Sequence, residues 1–301
     1  MITREKYEPR INGMSSQNEP GEDLILEGNV RRYPDMYYAY EKFRSIFNLP
    51  KDCFFLANGC ENAMKNVLLA LKPRTMLWAV PTWRMPVVYA AALGFRLITK
   101  EFEYKDNEGF SLPQDYYNTE ADVLYDNLGI TTCFTYKYSL EDIKNSKASY
   151  NIIDLTYKSF FEMRYLIPIL RENPKNIIIG SFDKMAGGGL RLGFAIFDKS
   201  LKDSMALQRE QYINMLAYNW LIDTDFKNRN FRSKFYAKLE KLARREDFLT
   251  DNFLTVKGDI STTIPCYKFK SKNGEEFTRF GIPNSEEEFR ALEIVLNHYF
   301  N

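Results

Sequence analysis

Apolar positions along the chain change their spacing in a regular way. Between 37 and 47 they recur at Tyr40, Phe43 and Phe47, the interval of an amphipathic helix, and Leu49-Pro50 stops it. An unbroken apolar run, Cys53-Phe54-Phe55-Leu56, reads as a buried strand leading into Asn58-Gly59. Met64, Val67, Leu68 and Leu71 restore the helical interval, and Lys72-Pro73 closes that helix. A second strand, 76–80, meets Pro81-Thr82. Further strands are expected at 121–125, 151–155, 176–181 and 192–197, the last two separated by Gly187-Gly188-Gly189. Strands interleaved with helices imply an α/β layer structure with a mostly parallel sheet. Beyond Ser200 the pattern turns to long, charged helical stretches. Two strands (264–270 and 277–281) and an amphipathic helix (286–298) follow, which predicts a smaller C-terminal domain. Residues 1–30 are polar, with turn residues at Asn12-Gly13 and Glu19-Pro20-Gly21, and read as an extended arm.

Composition narrows the function classes. The 301 residues carry 41 Lys+Arg against 40 Asp+Glu, a balance that removes the case for a basic nucleic-acid binder. With 23 Phe, 20 Tyr and 3 Trp there is ample surface for a core, which argues against disorder. Cys53, Cys60, Cys133 and Cys266 are far apart, with no C-x-x-C pair, which argues against a zinc site or a disulfide framework. The single histidine, His298, is near the end, so histidine-based triads and metal sites are nearly excluded. The start has no apolar h-region, and no run reaches the roughly 20 apolar residues of a membrane span. The expectation is a cytoplasmic, enzyme-sized protein without metal.

In parallel sheets ligands bind beyond the carboxyl ends of strands, where loops and helix starts converge. Four polar clusters fall there. Ala57-Asn58-Gly59-Cys60-Glu61-Asn62 is a strand-to-helix turn whose glycine allows close backbone approach and whose helix start could hold a phosphate. Tyr125-Asp126-Asn127-Leu128-Gly129 is the second, and Asp154-Leu155-Thr156-Tyr157 the third. In the fourth, Ser181-Phe182-Asp183-Lys184 precedes the glycine run that ends at Leu190-Arg191-Leu192-Gly193. Alone, the Asn58-Gly59 turn is more often an ordinary turn and a single Lys or Asp a solvated charge, but Lys184 stands apart because it follows a strand and precedes a glycine run ending in Arg191.

Taken in order, the clusters resemble the fold-type I pyridoxal-phosphate enzymes, in the branch of histidinol-phosphate aminotransferases and threonine-phosphate decarboxylases. Ser181-x-x-Lys184 with Leu190-Arg191-Leu192-Gly193-Phe194 is similar to that branch's Schiff-base lysine signature. Arg31-Arg32-Tyr33-Pro34-Asp35 resembles its R-Y-P-D segment, and Asn18-Glu19-Pro20 its N-terminal N-E-x-P motif. Ala57-Asn58-Gly59-Cys60-Glu61 resembles its glycine turn, and Pro81-Thr82-Trp83 its P-T-[FY]. Asn127, Asp154 and Lys184 follow at intervals of 27 and 30 residues, as in that branch. The resemblance spans nearly the whole chain.

It implies an aspartate aminotransferase-like fold: a three-layer αβα large domain (31–205) with a mostly parallel sheet, an N-terminal arm (1–30), and an abbreviated α+β small domain (206–301). The implied cofactor is pyridoxal 5'-phosphate. Lys184 would carry it and move the substrate's Cα proton. Asp154 would keep the ring nitrogen protonated, while Asn127 and Tyr157 would bond the ring's phenolic oxygen. Ser181, Arg191 and the backbone at Gly59, Cys60 and Glu61 would grip the phosphate, and Trp83 would stack on the ring. Tyr33 would reach the phosphate of a neighbouring subunit, making a homodimer. Arg279 and Asn18 would bind substrate, Arg279 through its carboxylate. Two departures stand out: Asn127-Leu128-Gly129-Ile130 replaces the branch's N-P-T-G, and the gap from Lys184 to Arg191 is one residue short. The leading expectation is an aminotransferase acting on a small L-amino acid, free or phosphorylated. Decarboxylation of an O-phospho amino acid is the alternative, and a non-catalytic cofactor- or partner-binding relative is a third. Nucleic-acid and membrane roles have no feature behind them.

Overall fold

A computed structural model describes residues 35–208, 212–227, 233–244 and 246–300. The arm at 1–30, Asn18 and the segment through Tyr33 lie outside the described residues. The chain divides into two compact units, one of residues up to 72 with 167–229, the other of 73–166 with 230–301. The chain passes from one to the other within the helix Phe160–Leu170.

The first unit opens with the helix Met36–Phe47, capped by the Asp35 carboxylate on the Tyr37 N–H and ended by left-handed Asn48. Phe43 and Phe47 are buried as the spacing predicts, with Ala39 one turn earlier; Tyr40, the first position of the predicted face, is only half-buried. Strand β1 (Phe54–Ala57), β9 (Asn176–Ser181) and β10 (Gly193–Ile196) lie in the order β1-β10-β9, with β10 antiparallel to both neighbours. The helix Cys60–Leu71 packs on β9 and β10 through Cys60, Ala63, Met64, Val67 and Leu68. Phe43 is fully buried against Phe54, Phe182 and Phe194, with ring centroids 5.2, 6.3 and 5.1 Å away. Burying such a side chain stabilises by roughly 1.5–3 kcal/mol. This cluster fixes the strand ends from which the candidate residues emerge. The long charged helices expected after Ser200 are instead short pieces, Lys202–Ala206 and Met215–Asp223 in this unit. The second piece starts at Asn214, whose side chain caps the Ala217 N–H, and its Trp220 packs on Phe182 and Phe226.

In the second unit β2 (Thr75–Val80), β3 (Arg96–Glu101), β6 (Val123–Asp126) and β8 (Tyr150–Asp154) form the order β8-β6-β2-β3, and every pairing is parallel. The helix Met85–Leu93 crosses from β2 to β3. The sequence pattern missed β3, because an edge strand with Arg96, Lys100 and Glu101 shows no apolar run. The same unit holds a small sheet of β4 (Glu103–Lys105), β5 (Gly109–Ser111) and β7 (Tyr136–Lys137). It also holds an antiparallel sheet, β11-β12-β14-β13, made of Phe248–Leu249, Phe253–Lys257, Glu276–Gly281 and Cys266–Lys270. Phe110 and Phe134 stack at 3.7 Å in a core with Phe102, Tyr104, Phe269 and Phe277. A separate core of Phe235, Leu254, Phe280, Phe289 and Leu292 lies under the helices Tyr236–Leu242 and Glu286–Phe300. No helix among the described residues is long and apolar enough to cross a membrane.

Candidate functional site

Parallel strands end on one edge of their sheet, so the residues following β2, β6 and β8 gather there. Thr82 and Asn127 lie just past β2 and β6, Asp154 is the last residue of β8, and the three are linked. The Thr82 hydroxyl donates to Asn127 Oδ1 at 2.7 Å, and Asn127 Nδ2 donates to the Tyr125 hydroxyl at 3.0 Å. That hydroxyl donates in turn to Asp154 Oδ2 at 2.6 Å, while the Thr156 N–H reaches Asp154 Oδ1 at 2.8 Å. Asn127 and Asp154 are each only 6% exposed. Tyr125 and Asn127 are two residues apart at the end of an extended segment, so both face the same way.

Asp126, between them, faces the opposite way. Its carboxylate accepts from Tyr117 and Tyr136 hydroxyls and from the Leu128 N–H, each at 2.6 Å. Burial nevertheless pushes its pKa up, and burial also raises the Tyr117 and Tyr136 hydroxyls. The bond to Leu128, which has φ of 47°, pins the turn that follows Asn127.

Tyr157, half-buried, meets Phe253 edge-on at 6.0 Å. Arg279 lies in β14 opposite Thr255 and Tyr267, its guanidinium 4.7 Å from the centre of the same Phe253 ring. Tyr157 and Arg279 are therefore neighbours of one aromatic side chain, an arrangement that β12 makes and the sequence does not reveal. Trp83 follows Thr82, half-buried.

The second set lies in the first unit. Lys184 is exposed on a single helical turn, Asp183–Ala186, directly after β9. Buried Asp183 accepts from the Leu192 N–H at 2.9 Å and faces Arg191 Nη1 at 3.5 Å. The Ser181 hydroxyl donates to the Leu192 carbonyl and accepts from the Asp183 N–H, so its first commitment is to the loop itself. Arg191, half in solvent, also lies 3.8 Å from Glu61 and donates to the Asn58 carbonyl at 3.4 Å. Its guanidinium crosses the turn at Gly59: a Cβ there would be 2.7 Å from Arg191 Cζ. Arg191 thus stands at the start of the helix Cys60–Leu71, where the helix already places partial positive charge. Glu61 and Asp183 offset part of this positive charge through loose contacts at 3.8 and 3.5 Å, and an anion at the helix start would meet both the guanidinium and the N–H groups of the first turn.

Asn214, which the sequence reading passed over, holds this loop. Its side chain caps the helix Met215–Asp223 through the Ala217 N–H, donates to the Leu190 carbonyl at 3.0 Å, and its N–H reaches Asn58 Oδ1. Asn before an apolar helical stretch is a cap signature, so the signal was present.

No family model matches the chain. Histidinol-phosphate aminotransferase of Chlorobium chlorochromatii is 25% identical over 181 residues, 56% of this chain. That match spans about half, 49%, of the relative's length. Among solved structures, the histidinol-phosphate aminotransferase of Clostridium acetobutylicum superposes with a TM-score of 0.65 at 17% identity, covering 90% of this chain and 92% of that one. The fold is that of the fold-type I aminotransferases. Within that fold, aspartate aminotransferase of Thermotoga maritima gives a TM-score of 0.61 at 15% identity, covering 100% and 98% of the two chains. L-threonine-O-3-phosphate decarboxylase of Porphyromonas gingivalis gives 0.60 at 13%, covering 97% and 95%. The fold-type I likeness accords with the parallel order β8-β6-β2-β3 and with the α/β class read from the hydrophobic pattern.

Proposed function

We propose that this chain binds pyridoxal 5'-phosphate and acts as an aminotransferase on a small L-amino acid, as a cytoplasmic homodimer with a large domain at 31–205 and a small one at 206–301. The observation that carries the reading is Asp154: a carboxylate buried at a strand's carboxyl end, oriented by Tyr125 and the Thr156 N–H, and tied through Tyr125 to Asn127.

The residues present fit that cofactor. Thr156 Oγ1 and Arg279 Nε are buried with no hydrogen-bond partner, and the glycine at 59 lets the Arg191 guanidinium lie across the helix start, where a Cβ would be 2.7 Å from Cζ. A guanidinium beside a helix start suits a phosphate, and a buried carboxylate suits a protonated ring nitrogen.

When bound, pyridoxal phosphate supplies an electrophilic carbon for amines and an electron sink for bonds at the substrate's Cα. Asp154 would hold the proton at the ring nitrogen, and Asn127 and Tyr157 would donate to the phenolic oxygen. Arg191 with the Gly59, Cys60 and Glu61 backbone would hold the phosphate, helped by Ser181, and Trp83 would cover a ring face. Lys184 would engage the cofactor and then move the proton at the substrate's Cα. Arg279, its guanidinium oriented by Phe253, would bind the substrate's carboxylate in a bidentate fork. Tyr33 and Asn18, outside the described residues, would serve the neighbouring subunit's phosphate and the substrate. Decarboxylation of an O-phospho amino acid by the same residues is the second reading, supported by the likeness to the Porphyromonas enzyme.

The test is the visible spectrum of the protein reconstituted with pyridoxal phosphate, wild type beside Lys184→Ala, scanned against free and O-phosphorylated amino acids. A band that needs Lys184 and is converted lastingly by one amino acid supports transamination. A band perturbed and then restored, with CO2 released, supports decarboxylation. A wild-type protein with no band rules the reading out.

A further inference from the structure

We infer that Tyr125 is a positioning residue whose hydroxyl locks the Asn127 amide and the Asp154 carboxylate into one directional hydrogen-bond chain. The inference rests on the cofactor reading above and extends it to a buried side chain outside the proposed cofactor-holding set.

The argument is one of donors and acceptors. An ionised carboxylate can only accept, so the Tyr125 hydroxyl, 2.6 Å from Asp154 Oδ2, must donate to it. Its oxygen must then accept from Asn127, which therefore turns its NH2 toward Tyr125 at 3.0 Å. With the amide fixed that way, Asn127 Oδ1 faces Thr82, whose hydroxyl must donate at 2.7 Å. One negative charge thus sets the sense of three bonds and the orientation of an amide that could otherwise sit either way round. The consequence is functional: with its carbonyl turned to Thr82 and one amide hydrogen given to Tyr125, Asn127 keeps its second amide hydrogen as a donor for an oxygen-bearing ligand. Chains of this kind strengthen one another in a site shielded from water. Tyr125 is 1% exposed, and its ring packs inside β6 whatever its hydroxyl does, so Tyr125→Phe removes the link and keeps the packing.

Two variants test this, Tyr125→Phe and Thr82→Val, with pyridoxal phosphate affinity measured by protein fluorescence quenching. In parallel, the Asp154 carboxyl is titrated by carbon NMR in the cofactor-free protein, assigned with Asp154→Asn. Tyr125→Phe should weaken binding about tenfold, the loss of a hydrogen bond to a charged group. It should also move the Asp154 titration upward, because the charged form loses a donor. Thr82→Val, at the far end of the chain, should weaken binding about threefold and leave the Asp154 titration in place. Wild-type binding with Tyr125→Phe unchanged in both affinity and titration overturns the inference alone. Absence of binding by wild type overturns the cofactor reading, and the inference with it. Should Tyr125→Phe fail to fold, unchanged affinity in Thr82→Val overturns the proposal by itself.

Discussion

Gly59→Ala is the sharpest probe of the anion-holding half of the site. Gly59 has φ 88° and ψ 164°, a backbone region that side chains essentially never occupy. Forcing alanine into it costs about 1–3 kcal/mol. The new Cβ would also stand 2.7 Å from Arg191 Cζ and 2.8 Å from Nη2. The guanidinium is the tip of a flexible side chain and can swing away, giving up its loose contacts to Asp183 and Glu61. Both pairs end on a half-exposed guanidinium at 3.5 and 3.8 Å and contribute about 0.2–1 kcal/mol each, so backbone strain is the larger effect. Urea unfolding of wild type, Gly59→Ala, Arg191→Ala and the double variant separates the two. Gly59→Ala should lose about 1–3 kcal/mol, most of which persists in the Arg191→Ala background, where no guanidinium remains to clash. Phosphate affinity should fall in Gly59→Ala and in Arg191→Ala alike, since both remove the guanidinium from the helix start. A Gly59→Ala protein as stable as wild type in both backgrounds would refute the reasoning.

Three further outcomes are expected. Asn214→Ala should lower stability by about 1–2 kcal/mol in thermal melts, with Asn214→Asp intermediate because it keeps the cap on Ala217 and loses the bond to Leu190. Phe134→Ala, which empties a fully buried ring position stacked on Phe110, should cost about 3–5 kcal/mol in urea unfolding. Burial raises the Asp126 pKa in the folded protein above its unfolded value, so the folded state binds the extra proton. The stability due to Asp126 is then fully present below the ordinary aspartate range and lost as pH rises through the raised value. Asp126→Asn should therefore destabilise more at pH 4 than at pH 7 in paired denaturation curves. An equal cost at both would contradict it.

The proposed cofactor residues illustrate how far sequence reaches. Lys184 with its glycine run, Asp154 and Asn127 could be picked out because each is a polar residue just past an apolar strand, and that pattern is local. Tyr125 shows the limit. Its position in an apolar stretch makes it look like core, and it is core by burial. Only the parallel pairing of β6 with β8 brings its hydroxyl to Asp154, 29 residues on. Asn214 is legible as a helix cap, but its hold on Asn58, 156 residues earlier, is not.

The sequence by itself determined the main alternation of strands and helices up to about residue 200, most of their stops, and the order of the chemical residues, because period, caps and glycine turns act within a few residues. Its balanced charge and scattered cysteines argue against a basic nucleic-acid binder and against a zinc or disulfide framework. The tertiary structure alone decided β3, which has no apolar run and exists because β2 offers it a ladder. It alone placed Tyr157 and Arg279 around Phe253, and set Arg191 across the turn at Gly59. These contacts join residues distant in the chain, and their geometry follows from strand register and side-chain packing, which no local pattern encodes.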